Sequence, residues 1–312
     1  MVTELISGAI YSSITLLTPL LLVGLAELLV ERSGILNLNV EGSMLIGAFT
    51  AFMVAYYTQD LGIATLSAAL AGVIMCMLFS ILTVSLSLDQ MVTGLAMNIL
   101  TIGITSYLYR ASFGWYVSPI PPHIKETIKP IGIPVLSEIP FIGDILFKHM
   151  PHTYVAVILA FMAWWVLFKT DWGLRIRAIG EDPQVADYLG INVNSTRYIL
   201  LFIEGVVVGI AGSLLSIAYY NMFLDNMTQG RGYIAIALVI LARWNPLLLL
   251  AGSFLFSLID AIQLRIMALG LTAFPSQLSL MLPYLVTIII LLVAGRKAKG
   301  PAALAKPFKK TR

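Results

Sequence analysis

The chain is poor in charge. Asp, Glu, Lys and Arg make up 11% of its 312 residues, the hydrophobic class makes up 59%, and the mean hydropathy is +0.92. A soluble domain carries about 25% charged residues. This composition therefore excludes a water-soluble globular protein and defines an integral membrane protein. Cysteine is almost missing: Cys76 is the only one, which excludes an intrachain disulfide and reads as a small buried hydrophobe in its apolar run. Histidine is scarce too. His123, His149 and His152 flank one loop without metal-ligand spacing, and they read as polar residues at the membrane interface. No G-x-x-x-x-G-K-[ST] phosphate loop occurs; the Gly295–Gly300 stretch of the tail lacks that spacing. Neither a Ser/His/Asp arrangement nor a carboxylate pair stands out, and no large soluble domain is appended. These absences argue against an enzyme and against a chain that carries its own motor. The N-terminus lacks a basic region and a small-residue cleavage site around a short apolar core. Its first apolar run is expected to stay as a helix.

What the chain has in quantity is apolar runs long enough to cross a bilayer, for which about 20 residues suffice. Runs at 6–28, 42–58, 61–86, 91–111, 152–168, 198–218, 232–243, 247–268 and 277–295 predict an all-α, polytopic transmembrane helical bundle over 1–312. The expected total is about nine spans, within a range of roughly eight to ten. The run 232–243 is short and reads as a broken helix, which lipid tolerates only where protein or a cavity covers it. Basic residues set the orientation. The tail 296–312 holds Arg296, Lys297, Lys299, Lys306, Lys309, Lys310 and Arg312, and segment 169–197 holds Lys169, Arg175, Arg177 and Arg197. The positive-inside rule places both in the cytoplasm, with Arg32, Gln90 and Arg243 on that side and the N-terminus outside. The stretch 113–151 then lies outside. It is rich in proline and isoleucine, too apolar for a flexible linker, and expected to fold as a small cap over the outer mouth.

Polar residues inside the apolar runs need a reason. Glu204 falls in the sixth run, and Asp260 and Arg265 in the eighth. An ionisable group at mid-membrane costs about 2.5–3.5 kcal/mol and faces the bundle interior or water. Both a structural partner and a place on a translocation pathway satisfy that. Asp260 and Arg265 sit about 140° apart on a helix, so spacing does not pair them. Asn98, among small residues in Gly94-Leu-Ala-Met-Asn98, suits an interhelical hydrogen bond or a substrate contact. Asn37, Asn39 and Glu41 precede the second run in a polar, Gly-containing segment that suits a capped helix start or a pathway lining. The segment 226–237 has the same character, so a candidate inverted repeat with broken helices arises. In segment 169–197, Asp182 is a helix cap, Pro183 a first helical residue and Gly190 a stop, which predicts a helix of about two turns over 183–189. A helix this short is unstable in water and must be held by packing.

Several strings carry a resemblance. Arg177-Ala-Ile-Gly-Glu-Asp-Pro-Gln-Val-Ala-Asp-Tyr-Leu-Gly-Ile-Asn192 resembles the cytoplasmic loop of permease subunits of ABC importers in the branched-chain amino acid, ribose and nucleoside superfamily. Arg32–Gly42, Val92–Asn98, Gly230–Ala237 and Arg243-Trp-Asn-Pro246 are similar to the same superfamily, and with Asp260–Arg265 they look most like its nucleoside and simple-sugar branch. The likeness covers about 8–295. It implies that the 183–189 helix sits in a groove of a separate cytoplasmic ATPase, with Arg177, Gly180, Glu181, Asp182, Pro183, Ala186, Asp187, Leu189 and Gly190 at the coupling surface. It implies a second permease subunit, identical or related, an extracytoplasmic binding protein docking on the outer cap, and ATP with Mg on the ATPase rather than on this chain. No catalytic or metal residue and no nucleic-acid partner is expected. Asn37, Asn39, Glu41, Asn98, Glu204 and Asp260 are the candidate pathway residues. A branched-chain amino acid permease and an ion-coupled secondary transporter, with Glu204 or Asp260 as its ion site, are the other readings.

Overall fold

The computed structural model describes residues 2–114, 121–134, 137, 139, 142–268, 285 and 299–309. Its helices are α1 (Val2–Glu31), α2 (Val40–Thr58), α3 (Leu61–Ser80, widened into a π turn over Ile81–Ser85), α4 (Gln90–Phe113), α5 (Ile142–Leu146), α6 (Pro151–Lys169), α7 (Asp171–Glu181), α8 (Pro183–Tyr188), α9 (Val193–Ser213, with a π turn over Leu214–Tyr219), α10 (Arg231–Leu241) and α11 (Pro246–Ala268). Seven of them are long and apolar enough to cross a membrane, and α10 is a shorter apolar helix. The expected spans up to 268 each correspond to one of these helices. The run 277–295 lies outside the described residues except Leu285. The protein is thus an all-α, multi-pass membrane bundle.

In lipid, apolar side chains gain little by leaving one apolar medium for another, so helices associate where small residues let backbones approach. The α2–α3–α9 seam is built this way. A Cβ placed on Gly72 would lie 2.2 Å from the Gly205 carbonyl oxygen, one on Gly209 2.3 Å from that of Ala68, and one on Gly212 2.0 Å from that of Met44. Gly47 meets Gly209 across the same seam.

α1 and α9 run antiparallel. The Tyr219 hydroxyl donates to the Thr15 carbonyl at 2.9 Å near one end, and the Arg197 guanidinium donates to the Ser33 carbonyl at 3.1 and 3.2 Å near the other. Each is followed by an irregular stretch, 32–39 or 220–230, and then by α2 or α10. The first turns of α2 and α10 meet, since a Cβ on Gly232 would lie 2.8 Å from the Glu41 Cα. The two polar, Gly-containing loop-to-helix segments of like character therefore meet at their helix starts.

One end gathers Arg32, Gly34, Ser87, Trp244, α7, α8, the start of α9 and residues 299–309. The other gathers the start of α1 and the described residues of the 121–150 stretch. There β1 (Ile131–Gly132) pairs antiparallel with β2 (Lys148–His149), and His123 bridges to Met222. Arg110 pairs with Asp225 at 2.8 Å, tying α4 to the 220–230 stretch. Two histidines depart from the interfacial expectation. His149 is buried, stacks on Tyr11 at 4.7 Å and places Nε2 2.8 Å from the Ile145 carbonyl. Burial holds its imidazole below the usual range. His152 meets the Tyr219 ring edge-on.

Candidate translocation and coupling sites

The first site is the junction of α2, α4 and α10 inside the bundle. A helix start leaves backbone N–H groups without intrahelical partners. At α10 they are met by Glu41, whose Oε1 accepts from Gly230 N at 2.8 Å and Oε2 from Gly232 N at 2.7 Å. The carboxylate also complements the positive end of the helix dipole. Gly230 reaches this geometry with φ 81°, where a side chain would be strained. Around Gly42 stand Asn39, Asn98 and Thr101; a Cβ there would lie 2.9 Å from Asn39 Oδ1 and 3.0 Å from Thr101 Oγ1. Asn98 Nδ2 donates to the Tyr233 hydroxyl. The amide oxygens of Asn39 and Asn98 are buried without a donor. The junction thus holds two buried carbonyl acceptors with unused hydrogen-bonding capacity, the Asn98 one on a side chain that also meets the Tyr233 hydroxyl.

The candidate pathway residues separate into three places. Asn39, Glu41 and Asn98 share the junction just described. Asn37 lies with Glu204, to which its Nδ2 donates at 2.8 Å. Asp260 lies apart on α11, where the charge of Arg231 acts on it. Arg265 packs its guanidinium against Gly8 of α1. Asn39 occupies the cap position of α2 but makes no side-chain cap bond; it donates to Ser43 Oγ at 3.0 Å instead.

The second site is the end that carries α7 and α8. Asp182 Oδ1 accepts from Gln184 N and Val185 N at 3.0 and 3.1 Å, and Gly190 ends the turn with φ 84°. The cap and stop thus act as their residue types predict. α8 is held from below by Ala186, which packs with Ile179, Val193 and Phe308. Its other face is exposed to solvent: Tyr188 and Leu189 are 74% and 76% exposed, and Val185 is exposed beside them. Gly180 faces inward; a Cβ there would lie 2.1 Å from the Arg32 carbonyl oxygen. Arg177 and Arg32 both lie over the Phe168 ring, at 5.3 and 5.9 Å. Burial first, then repulsion from Arg177, draws the Arg32 guanidinium below its usual range.

Sequence reasoning missed three features. α7 precedes α8 directly and is capped by Thr170. The described part of the tail is packed: Ala303 N donates to the Gly180 carbonyl at 2.9 Å, Ala305 N to that of Gly34 at 3.1 Å, and Arg197 sits 5.8 Å from the Phe308 ring. Glu27 and Glu31 are fully buried on α1 beside Glu204. Two acids late in an apolar run were the available signal.

Residues 9–291 match the family described as branched-chain amino acid transport system, permease component. The chain is 34% identical over 295 residues to the nucleoside ABC transporter permease protein NupC of Lactococcus lactis, covering 92% of each. It is 32% identical over 315 residues to the guanosine ABC transporter permease protein NupQ of Bacillus subtilis, covering 98% of each. It is 33% identical over 324 residues to the candidate glucose ABC transporter permease TsgC13 of Haloferax volcanii, covering 97% of each. No solved structure matches. The chain belongs to this family of membrane transport permeases.

Proposed function

We propose that this chain is the permease subunit of an ATP-driven importer of nucleosides or simple sugars. It forms half of the translocation pathway in the cell membrane, with a second permease subunit, identical or related, forming the other half. α8 seats on a separate cytoplasmic ATPase that binds ATP and Mg, so the α7–α8 end and the tail face the cytoplasm and the N-terminus faces out. The stretch 121–150 receives an extracytoplasmic binding protein. One observation carries the coupling assignment: a six-residue helix that could not persist alone is anchored underneath while presenting Val185, Tyr188 and Leu189 outward. Exposed apolar residues on an anchored helix suit insertion into a partner's groove. The substrate class rests on the nucleoside, guanosine and glucose names of the relatives. The family description keeps a branched-chain amino acid as the second reading.

Co-expression with a candidate partner ATPase and binding protein tests this reading. Leu189→Arg is expected to keep the chain in the membrane and to lose both ATPase co-purification and uptake. Uptake by the chain alone, without ATP, would overturn the reading in favour of an ion-coupled transporter.

A further inference from the structure

Three glutamates lie fully buried where α1 meets α9. Glu27 and Glu31 are one turn apart on α1, and Glu204 faces them. Each carboxyl has one oxygen served by a nitrogen donor. Asn37 N donates to Glu27 Oε1 at 3.0 Å, Asn37 Nδ2 to Glu204 Oε2 at 2.8 Å, and the Trp244 indole to Glu31 Oε2. The remaining oxygens, Glu27 Oε2, Glu31 Oε1 and Glu204 Oε1, are buried with no donor. Asn37 bridges the Glu27 and Glu204 carboxyls, Glu31 stands one turn from Glu27, and the three interact electrostatically as neighbours. An ionised carboxylate only accepts, so a carboxyl–carboxyl hydrogen bond requires a proton on one partner.

Among the described residues, no nearby group supplies a compensating cation. Arg32, just past the end of α1, donates to the Trp244 carbonyl at 2.9 Å, and Arg197 on α9 donates to the Ser33 carbonyl. From α2, Glu41 is committed to the start of α10. From α3 the neighbouring group is Cys76, beside Asn37 and Ser43. Arg243 lies beyond Trp244 and offers Arg32 its carbonyl. Among the described residues, no Lys or Arg acts on the three carboxyls and no group of side chains is arranged for a metal ion.

We propose that Glu31, Glu27 and Glu204 form a proton-binding site, in which two protons bridge the three carboxyls in that order. The donor pattern fits this occupancy: three nitrogen donors serve the outer oxygens, and two shared protons serve the three inward ones. The site links α1 to α9, reaches the 32–39 stretch through Asn37 and the α10–α11 junction through Trp244. A conformation that admits water between α1 and α9 would release the protons, so their binding favours the closed seam. The proposal concerns the bundle itself and stands or falls independently of the transported solute.

Infrared spectroscopy of the assembled membrane complex in lipid nanodiscs tests it. At neutral pH the full-length protein should show a carboxylic-acid C=O band that shifts with 13C-glutamate labelling and disappears as pH is raised. Glu27→Gln should remove most of that band while the complex still assembles, because an amide can donate where the protonated carboxyl did. Should that variant fail to assemble, the labelled wild-type band and its loss at high pH still decide the matter. Absence of a glutamate-derived acid band overturns the proposal. So does a band left unchanged by both Glu27→Gln and Glu204→Gln. A rise in thermal midpoint with sodium chloride over choline chloride, lost in Glu27→Gln and accompanied by no acid band, would assign the site to a metal cation instead.

Discussion

At the scale of single residues, polar side chains inside this bundle act as terminators of broken backbone. Glu41 meets two N–H groups that α10 would otherwise leave bare at membrane depth. Removing a charged hydrogen-bond acceptor from a buried donor costs about 1.5–3 kcal/mol. Glu41→Ala is therefore expected to lower the thermal midpoint of the purified complex, and amide exchange should rise first at 230–234. Exchange that rises uniformly would show that Glu41 is not a local cap. The sequence made part of this legible. Asn37, Asn39 and Glu41 stand out as polar residues before an apolar run, and so does the polar segment ahead of α10. Their partners were not legible, because a cap formed between segments 189 positions apart leaves no local pattern. The same limit explains Asn39, which has the residue type of a cap and spends its side chain on Ser43. Glu27 and Glu31 fall near the end of a run that still reads as a span despite them.

At the scale of elements, α8 and the tail form one mechanical unit. Asp182, Pro183 and Gly190 mark the helix in the sequence because capping and stopping are local chemistry. The tail reads only as a basic segment, since its docking depends on Gly34, Gly180 and Arg197, which come from distant parts of the chain. Phe308 packs with Ile179, Ala186 and Val193 beneath α8. Truncating a buried aromatic to alanine costs about 3–5 kcal/mol in a closed core. Phe308→Ala should accordingly keep the chain in the membrane but loosen α8, seen as faster proteolysis near 183–190 and reduced ATPase retention. Unchanged retention would mean the tail does not support the coupling helix. Gly180 is a poor probe of coupling, because any side chain there meets the Arg32 carbonyl oxygen before it meets a partner. Leu189 is the better one. An exposed apolar anchor seated in a partner's groove is worth about 2 kcal/mol, so Leu189→Arg should weaken ATPase binding roughly thirtyfold or more. A change of less than about threefold would place the contact elsewhere.

At the scale of the whole molecule, glycine contacts and motor absence fit together. On the proposed reading a partner ATPase drives this chain, and force applied at α8 crosses the bundle through rigid seams. The α2–α3–α9 seam, with backbones in contact through Gly47, Gly72, Gly205, Gly209 and Gly212, is such a path. Added volume in a close-packed seam costs about 1–3 kcal/mol. Gly72→Val is expected to lower assembly of the complex, whereas Gly103→Val, where a Cβ meets nothing within 4 Å, should be neutral. On the proposed reading the seam carries force whatever the cargo, and the choice of substrate falls to the junction of Asn39, Asn98 and Tyr233 and to the binding protein. ATPase activity of the reconstituted complex separates the classes. Stimulation by nucleosides with the binding protein present, reduced by Asn98→Leu without loss of assembly, is the expected result. Stimulation by a sugar or a branched-chain amino acid instead would keep the importer and replace its cargo. Nucleoside stimulation unchanged in Asn98→Leu would keep the cargo and move the pathway away from the α2–α4–α10 junction.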